Sequence, residues 1–384
     1  MKRYLGKQCL ALLATFALLL GSTGALRAAP AGDAVPDKGK PVDLVLCLDV
    51  SGSMQGLIDS AKTKLWDIVN DLAKIKPTPN LRVALYSYGH TTYDAQAGWV
   101  RKEADLTSDL DEIYKKLNAL TINGGSELVA RVTRDAVEQQ KWAEAKDALK
   151  IIFVCGNESA NQDRQVSLAD VAEKAVAKGI IINTIYCGQM SHPDAAGWKD
   201  YAKQCKGEFF SIDQDKGTVV VNTPFDKELT ELSGKMSSTY LAFGKDGREK
   251  ALNQVAQDAN AAKAPGAGAA RAESKASGLY RNAGWDLVDK LKEDPKFDVK
   301  KVPVEELCDE MKKMTPEERE AHVKKKLAER EDMQKKIADL SAKRQEYIKE
   351  EMKKNPNKAD QAFDAAIRGA LRQQAESKGF TTKE

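Results

Sequence analysis

Five polar side chains have the types and positions that a hard divalent cation requires. Asp49, Ser51 and Ser53 alternate along the stretch DVSGS, which directly follows the apolar run VDLVLCL. Ser126 follows a pair of glycines, and Asn157 follows a second apolar run, ALKIIFVCG. Carboxylate, hydroxyl and amide oxygens are the ligands that Mg²⁺ and Ca²⁺ prefer. We therefore predict a metal site on Asp49, Ser51, Ser53, Ser126 and Asn157, with Mg²⁺ as the first expectation and Mn²⁺ or Ca²⁺ as alternatives.

Two of these signals also have a purely structural interpretation. The DVSGS stretch could be a tight turn that ends a strand without metal, because Gly52 permits sharp backbone conformations. Ser126 could be the N-cap of a helix that follows the glycine pair. Capping and metal binding are compatible at Ser126, so the sequence leaves these alternatives open.

Apolar runs alternate with amphipathic segments from residue 42 to residue 213. Strand-like runs cover 42–49, 81–89, 148–157, 179–188 and 207–213, with a short edge strand predicted over 97–107. Helical spacing of apolar residues covers 57–72, 109–120, 166–179 and 194–205. A further segment over 124–139 begins with the loop GGSE and continues as a helix. This alternation predicts an α/β fold in which helices flank a doubly wound, mostly parallel sheet. Such sheets bind ligands outside the carboxyl ends of their strands, so the three polar loops are expected to meet at one edge.

The DVSGS stretch resembles the DxSxS signature of the von Willebrand factor A family, which also lies at the end of the first strand. In that family this signature, a Thr or Ser from a second loop and an Asp from a third loop build a metal-ion-dependent adhesion site. The resemblance implies that Asp49, Ser51 and Ser53 form the first motif. It also implies that Ser126 takes the Thr position and that Asn157 takes the Asp position.

The third loop departs from the family pattern. Where the family commonly reads TDG, this chain reads GNE, so an amide at Asn157 replaces a carboxylate. The change removes one negative charge from the expected site, although an amide oxygen can still bind a cation or a water molecule. Glu127 or Glu158 could restore that charge, but the family pattern requires neither of them.

Three further stretches resemble those of a group of exported bacterial proteins that carry this domain. They are GNESANQD after the fourth major strand, NTIYCG followed by Trp198, and TPFDKELTELSGKMSSTYLAFG directly behind the domain. The resemblance implies a domain and a compartment, and no particular biological role.

The N-terminus has the order of segments that is typical of a secretory signal peptide. Basic MKRYLGK is followed by apolar CLALLATFALLL and then by small residues in GSTGALRAAPAG. We predict a signal peptide over 1–30 and a linker over 31–41, in a bacterial protein that is exported to the periplasm or secreted. An uncleaved membrane anchor is the alternative. No later segment is apolar enough to span a bilayer.

Behind the α/β domain, which we predict over 42–214, the chain becomes helical and charged. We predict a helical extension with an Ala/Gly-rich linker over 215–300. A charged helical or coiled-coil region is predicted over 301–384. The Ala/Gly-rich stretch at 262–278 fits either a linker or a weak helix.

A long charged helix is expected to follow the capping signal TPEERE at 315–320. Its apolar residues keep a partial 3-4 spacing at Met333, Ile337, Leu340 and Tyr347. Arg330 and Arg344 interrupt that spacing. Such helices could form a homo-oligomer through a coiled-coil seam, or a single helix could pack on the globular part.

Composition and motifs argue against several functional classes. Lys and Arg total 60 against 57 Asp and Glu, a net charge of +3, which is not the basic surface that nucleic acids require. The chain contains no GxxxxGK[ST] phosphate loop, no GxGxxG turn and no GxSxG nucleophile elbow. We therefore expect neither an enzyme nor a nucleic-acid-binding protein.

The predicted function is metal-ion-dependent protein–protein interaction or adhesion through the DxSxS site. The resemblance implies that an acidic side chain of a protein partner completes the coordination of the cation. The alternative is a metal-free structural scaffold in the periplasm that acts through its helical C-terminal region.

Overall fold

The computed structural model describes residues 39–212, 220–354 and 363–382. The predicted signal peptide over 1–30 and the predicted domain boundary at residue 214 lie outside this part of the chain. The division into domains therefore stays a prediction at those two points.

A six-stranded sheet forms the centre of the first half of the chain. Its strands are β1 (Pro41–Asp49), β3 (Asn80–Tyr88), β4 (Val100–Thr107), β5 (Leu149–Gly156), β6 (Ile180–Tyr186) and β7 (Phe209–Ser211). The two-residue strand β2 (Ile75–Lys76) lies outside this sheet. The spatial order in the sheet is β4-β3-β1-β5-β6-β7, and only the edge strand β4 runs antiparallel to its neighbour. This arrangement confirms the predicted mostly parallel sheet.

Helices cover both faces of this sheet. They are α1 (Gln55–Lys74), α2 (Leu110–Ala119), α3 (Val129–Gln139), α4 (Leu168–Ala177) and α5 (Ala195–Gln204). Side chains alternate along β1, so Leu44 and Leu46 pack with α1 and α2, whereas Val45 and Cys47 pack with α3, α4 and α5. A strand that is buried on both faces needs apolar residues at successive positions, which explains the unbroken run in the sequence.

The segment over 124–139 begins as a glycine-containing loop and continues as a helix, in agreement with the prediction. In the structure α3 starts at Val129, with Leu128 at its N-cap position. The glycine pair and the two residues after it lie in the loop that leads from the sheet edge into this helix.

The second half of the chain is helical and packs on the sheet domain. Its helices are α6 (Asp226–Ser237), α7 (Gly247–Lys263), α8 (Ala267–Ala276), α9 (Leu287–Glu293), α10 (Pro316–Lys354) and α11 (Phe363–Ser377), followed by β8 (Thr381–Thr382), which pairs with β2. Both α8 and α11 pack on α1. No helix in the described ranges is long and apolar enough to cross a membrane.

The Ala/Gly-rich stretch forms the buried helix α8 and is not a linker. A Cβ on Gly268 would come within 2.6 Å of Thr230 Oγ1, so α8 and α6 approach each other closely. Asn70 of α1 donates a hydrogen bond to the carbonyl oxygen of Ala270 at 2.8 Å. Small side chains allow this close contact between helices, which explains a composition that also resembles a linker.

The two arginines that interrupt the apolar spacing of α10 belong to its buried face. Val323, Arg330, Ile337 and Arg344 follow one another at steps of seven residues, and all four are buried. This face packs against α6, α8 and α9 of the same chain. Arg330 donates to Asp286 at 2.7 Å, and its guanidinium stacks on Tyr240 at 3.7 Å. The heptad seam is thus used within the chain, and oligomerisation through these helices stays a prediction.

A buried group of charges joins the helical region to the sheet domain. Arg271 of α8 is fully buried and donates to Asp111 of α2 and to Asp258 of α7, each at 2.6 Å. Its guanidinium also lies over the ring of Trp66, at 4.7 Å from the centroid. Tyr280 donates to the other oxygen of Asp111. Removal of one partner would leave a buried charge uncompensated.

We expect Arg271→Met to lower the free energy of unfolding by about 3–5 kcal/mol, since Asp111 would lose its cationic partner in a buried site. The matched control is Lys174→Met, because the pair of Lys174 with Glu138 is exposed. Such surface pairs contribute about 0–1 kcal/mol. Urea denaturation of the two variants measures both values. Equal, small losses would contradict the structural role of Arg271.

Candidate metal centre

The carboxyl ends of β1, β3 and β5 lie side by side, and the three predicted loops meet there. Asp49 is the last residue of β1 and lies beside Tyr88 at the end of β3. A Cβ on Gly89 would come within 2.9 Å of Asp49 Oδ1, and one on Gly156 would come within 3.1 Å of Asp49 Oδ2. A Cβ on Gly125 would collide with the carbonyl oxygen of Gly89. Glycines therefore leave the space around the Asp49 carboxyl group that other residues would fill.

Three oxygen atoms of the predicted ligand set are buried and lack a hydrogen-bond partner among the described residues. They are Asp49 Oδ2, Ser51 Oγ and Asn157 Oδ1. Asp49 is fully buried, and its other oxygen accepts a hydrogen bond from the backbone N–H of Ser51 at 2.8 Å. Buried polar atoms are normally paired, so three orphaned oxygens at one sheet edge indicate a missing ligand.

The first and third loops are in direct contact. Asn157 Nδ2 donates a hydrogen bond to Ser53 Oγ at 2.8 Å, across 104 residues of sequence. The bond directs the amide nitrogen toward Ser53 and leaves the amide oxygen without a partner. Ser53 is exposed, so this side of the site is open to solvent.

Ser126 is half-buried in the second loop, between Gly125 and Glu127. The structure gives its hydroxyl group no capping role, because Leu128 occupies the N-cap position of α3 and that helix has no side-chain cap. The interpretation of Ser126 as a helix cap is therefore wrong. Its neighbours on both sides contact the end of β3, which places Ser126 beside the other candidate ligands.

Glu127 is a second carboxyl group at this site. The residue is 4% exposed, whereas Glu158 is exposed at the surface. The carboxyl group of Glu127 lies next to the carboxyl group of Asp49 and the hydroxyl group of Ser51, and near the backbone N–H of Glu158. Its approach to the Ser51 hydroxyl lacks ordinary hydrogen-bond geometry, since that oxygen remains unpaired. The sequence signal was an acidic residue beside the glycine pair, which could not be separated from Glu158 without the fold.

Burial disfavours the charged forms of both carboxyl groups, and nearby negative charges add to this effect. Burial raises the pKa of Asp49 well above its ordinary value, and the neighbouring Glu127 carboxyl raises it further. Burial also raises the pKa of Glu127. In the described part of the chain, neither carboxyl group forms an ion pair with a lysine or arginine. Two such groups in contact must share a proton or bind a cation.

The chemistry of these side chains fits a hard cation. The available donors are carboxylate, hydroxyl and amide oxygens, and no cysteine or histidine is among them. The described residues contain no group of three or more His, Cys, Asp and Glu side chains that could hold a metal ion. An ion at this site would therefore depend on Ser and Asn oxygens in addition to the two carboxylates.

A mostly parallel sheet with polar loops at the carboxyl end of its first strand defines an α/β domain of the ligand-binding type. Residues 43–216 match the model of the von Willebrand factor type A domain. The chain therefore contains a von Willebrand factor type A domain, followed by a helical region that this match does not cover. No curated protein matches the chain.

Several solved structures resemble part of this chain. The proximal thread matrix protein 1 of the mussel byssus is 16% identical, with a TM-score of 0.36, over 47% of this chain and 44% of that one. The same mussel protein has also been solved with zinc in its MIDAS motif. The SpRpn10 VWA domain is 17% identical, with a TM-score of 0.34, over 45% of this chain and 88% of that one. This chain thus spans less than half the length of the mussel protein.

Metal-free protein is expected to lose stability as the pH rises. The raised pKa values of Asp49 and Glu127 mean that the folded protein holds protons that the unfolded chain has already released. The free energy of unfolding therefore begins to fall when the pH rises above the ordinary carboxyl pKa values of the unfolded chain. It continues to fall until the pH passes the raised pKa values of the folded protein. Glu127→Gln should flatten this fall, whereas Asp59→Asn, at an exposed carboxylate of α1, should not. Urea denaturation in chelator between about pH 4 and pH 9 tests both variants, and a slope that Glu127→Gln leaves unchanged would contradict this account.

Proposed function

We propose that this protein binds a protein partner through a divalent cation held at the carboxyl edge of its sheet. The observation that carries the proposal is the set of three buried, unpaired oxygens on Asp49, Ser51 and Asn157. Their position at the carboxyl ends of the neighbouring strands β1 and β5, in a von Willebrand factor type A domain, supports a cation as the missing ligand.

The residues that would hold the cation are those of the three loops. Asp49 provides the carboxylate, and Ser51, Ser53 and Ser126 provide hydroxyl groups. Asn157 supports the ion through its amide oxygen, directly or through water. We expect Mg²⁺ before Mn²⁺ or Ca²⁺, because Mg²⁺ binds to few protein groups and keeps positions for water or an incoming ligand.

The open side of the site provides room for a partner. Gly52, Ser53 and Gly124 are exposed around the buried oxygens, so the mouth of the site has little side-chain bulk. When bound, the cation supplies a positive attachment point that the buried carboxyl groups cannot supply themselves. An acidic side chain of the partner is the group that fits such a point.

Binding rather than catalysis is the proposed role. Among the described residues, the hydroxyl group of Ser51 has no hydrogen bond to a histidine or lysine that could act as its general base. The proposed location is outside the bacterial cytoplasm, in the periplasm or secreted, as the N-terminal sequence indicates. A metal-free scaffold that acts through its helical region is the rival, because Asp49 and Glu127 could share a proton instead of a cation.

Calorimetric titration of the mature protein with Mg²⁺, Mn²⁺ and Ca²⁺ tests the cation. We expect saturable binding by the wild type and a loss of affinity of more than about 100-fold in Asp49→Ala, because the only first-motif carboxylate is removed. Asp59→Ala is the matched control, since Asp59 is an exposed carboxylate on the first turns of α1. Absence of binding at millimolar metal in the wild type would favour the scaffold.

A pull-down from bacterial envelope extract tests the partner. Capture should be lost in chelator, be restored by the metal that binds in calorimetry, and be absent with Asp49→Ala. Capture that is unaffected by chelator would contradict binding through the cation.

A further inference from the structure

We infer that Glu127 is a ligand of the cation and supplies the negative charge that the family pattern places at position 157. This inference rests on the proposed cation at Asp49, and it concerns which residues of this chain balance the charge of that cation. In this chain the second carboxylate of the site would come from the loop before α3, instead of from the loop after β5.

The first argument is the convergence of three side chains over Gly89. A Cβ at Gly89 would meet Asp49 Oδ1 at 2.9 Å, Glu127 Cγ at 3.3 Å and Ser51 Cβ at 3.5 Å. Glu127 thus approaches the same point as the first two residues of the DxSxS signature. Gly89 has a positive φ of 86° and no side chain, so nothing separates these groups.

The second argument is that the carboxyl group of Glu127 lies beside two side-chain oxygens, on Asp49 and Ser51, that lack hydrogen-bond partners in the described structure. Asp49 and Ser51 are 0% and 3% exposed, and each has one side-chain oxygen without a hydrogen-bond partner in the described structure. Glu127 brings a further carboxyl group to these two oxygens, and no lysine or arginine accompanies it. A cation between Asp49 and Glu127 would pair both carboxylates and the Ser51 hydroxyl at once.

The third argument is the backbone that holds Glu127 in place. The loop lies directly against the end of β3, since a Cβ at Gly125 would come within 2.4 Å of the carbonyl oxygen of Gly89. Because α3 starts only at Val129, Glu127 belongs to this loop and not to a helix. The loop therefore brings a buried carboxyl group to the end of β1.

The rival acidic residue is excluded by its position. Glu158 is exposed, and its carboxyl group accepts a hydrogen bond from Gln162 at 2.7 Å. Its carbonyl oxygen accepts from Trp198 Nε1 at 2.7 Å, which ties the backbone to α5. The carboxyl group of Glu158 therefore lies at the surface with Gln162 as its hydrogen-bond partner.

The inference is tested with variants that remove the carboxylate at position 127 and restore one at position 157. The affinity of each full mature chain for Mn²⁺ and Mg²⁺ is measured by calorimetry. Glu127→Gln should weaken binding by about 10- to 100-fold, and Glu158→Gln should leave it unchanged. Adding Asn157→Asp to Glu127→Gln should recover most of the loss, because it returns a carboxylate to the position that the family pattern uses. Circular dichroism and urea denaturation verify that each variant is folded.

A second variant separates coordination from charge alone. Glu127→Asp keeps the charge and shortens the side chain by one methylene group, so a direct ligand should lose affinity in this variant. Wild-type affinity in Glu127→Asp would overturn direct coordination. Wild-type affinity in Glu127→Gln, with binding abolished by Asp49→Ala, would overturn the inference and leave the proposed cation intact. Failure of the wild type to bind metal would instead remove the proposed function.

Discussion

The structure depends on one electrostatic constraint, which is that a carboxyl group buried in a protein needs a compensating partner. Among the described residues, several buried or half-buried acids pair with an arginine. Buried Asp43, Asp111 and Asp286 pair with Arg82, Arg271 and Arg330. Half-buried Asp163, Asp226 and Asp258 pair with Arg131, Arg344 and Arg271. Asp49 and Glu127 are buried together at the end of the central strand, and neither has an arginine or lysine partner in the described part of the chain. That contrast within one molecule singles out the sheet edge as the place where a cation from outside the chain would complete the structure.

The arginine pairs also explain how the helical region is attached. Arg271 connects α2, α7 and α8, and its ring contact with Trp66 extends that connection to α1. Arg330 connects α10 to the end of α6 and the start of α9. Because α1 begins directly after the DxSxS stretch, the helical region packs on the helix that supports the first loop of the site. The two halves of the chain therefore share one set of buried contacts around α1.

Much of the fold could be predicted because apolar periodicity reports burial. The continuous apolar runs of β1 and β5 indicated strands buried on both faces, and the amphipathic segments between them indicated covering helices. The errors occurred where polar or small residues make tertiary contacts. The stretch that forms α8 also resembled a linker, and Arg330 and Arg344 interrupted the apparent seam of α10 although they lie inside it.

The candidate site shows the same division. Sequence alone determined the types of ligand, because DVSGS at a strand end, a Ser after paired glycines and an Asn after a buried strand each follow from local pattern. It also determined that the third loop lacks its carboxylate. Only the tertiary structure decided which acid could replace it, because Glu127 is buried in a loop that lies against Gly89, whereas Glu158 is exposed after β5. Charge balance at a site depends on distances between loops, and those distances have no signal in the local sequence.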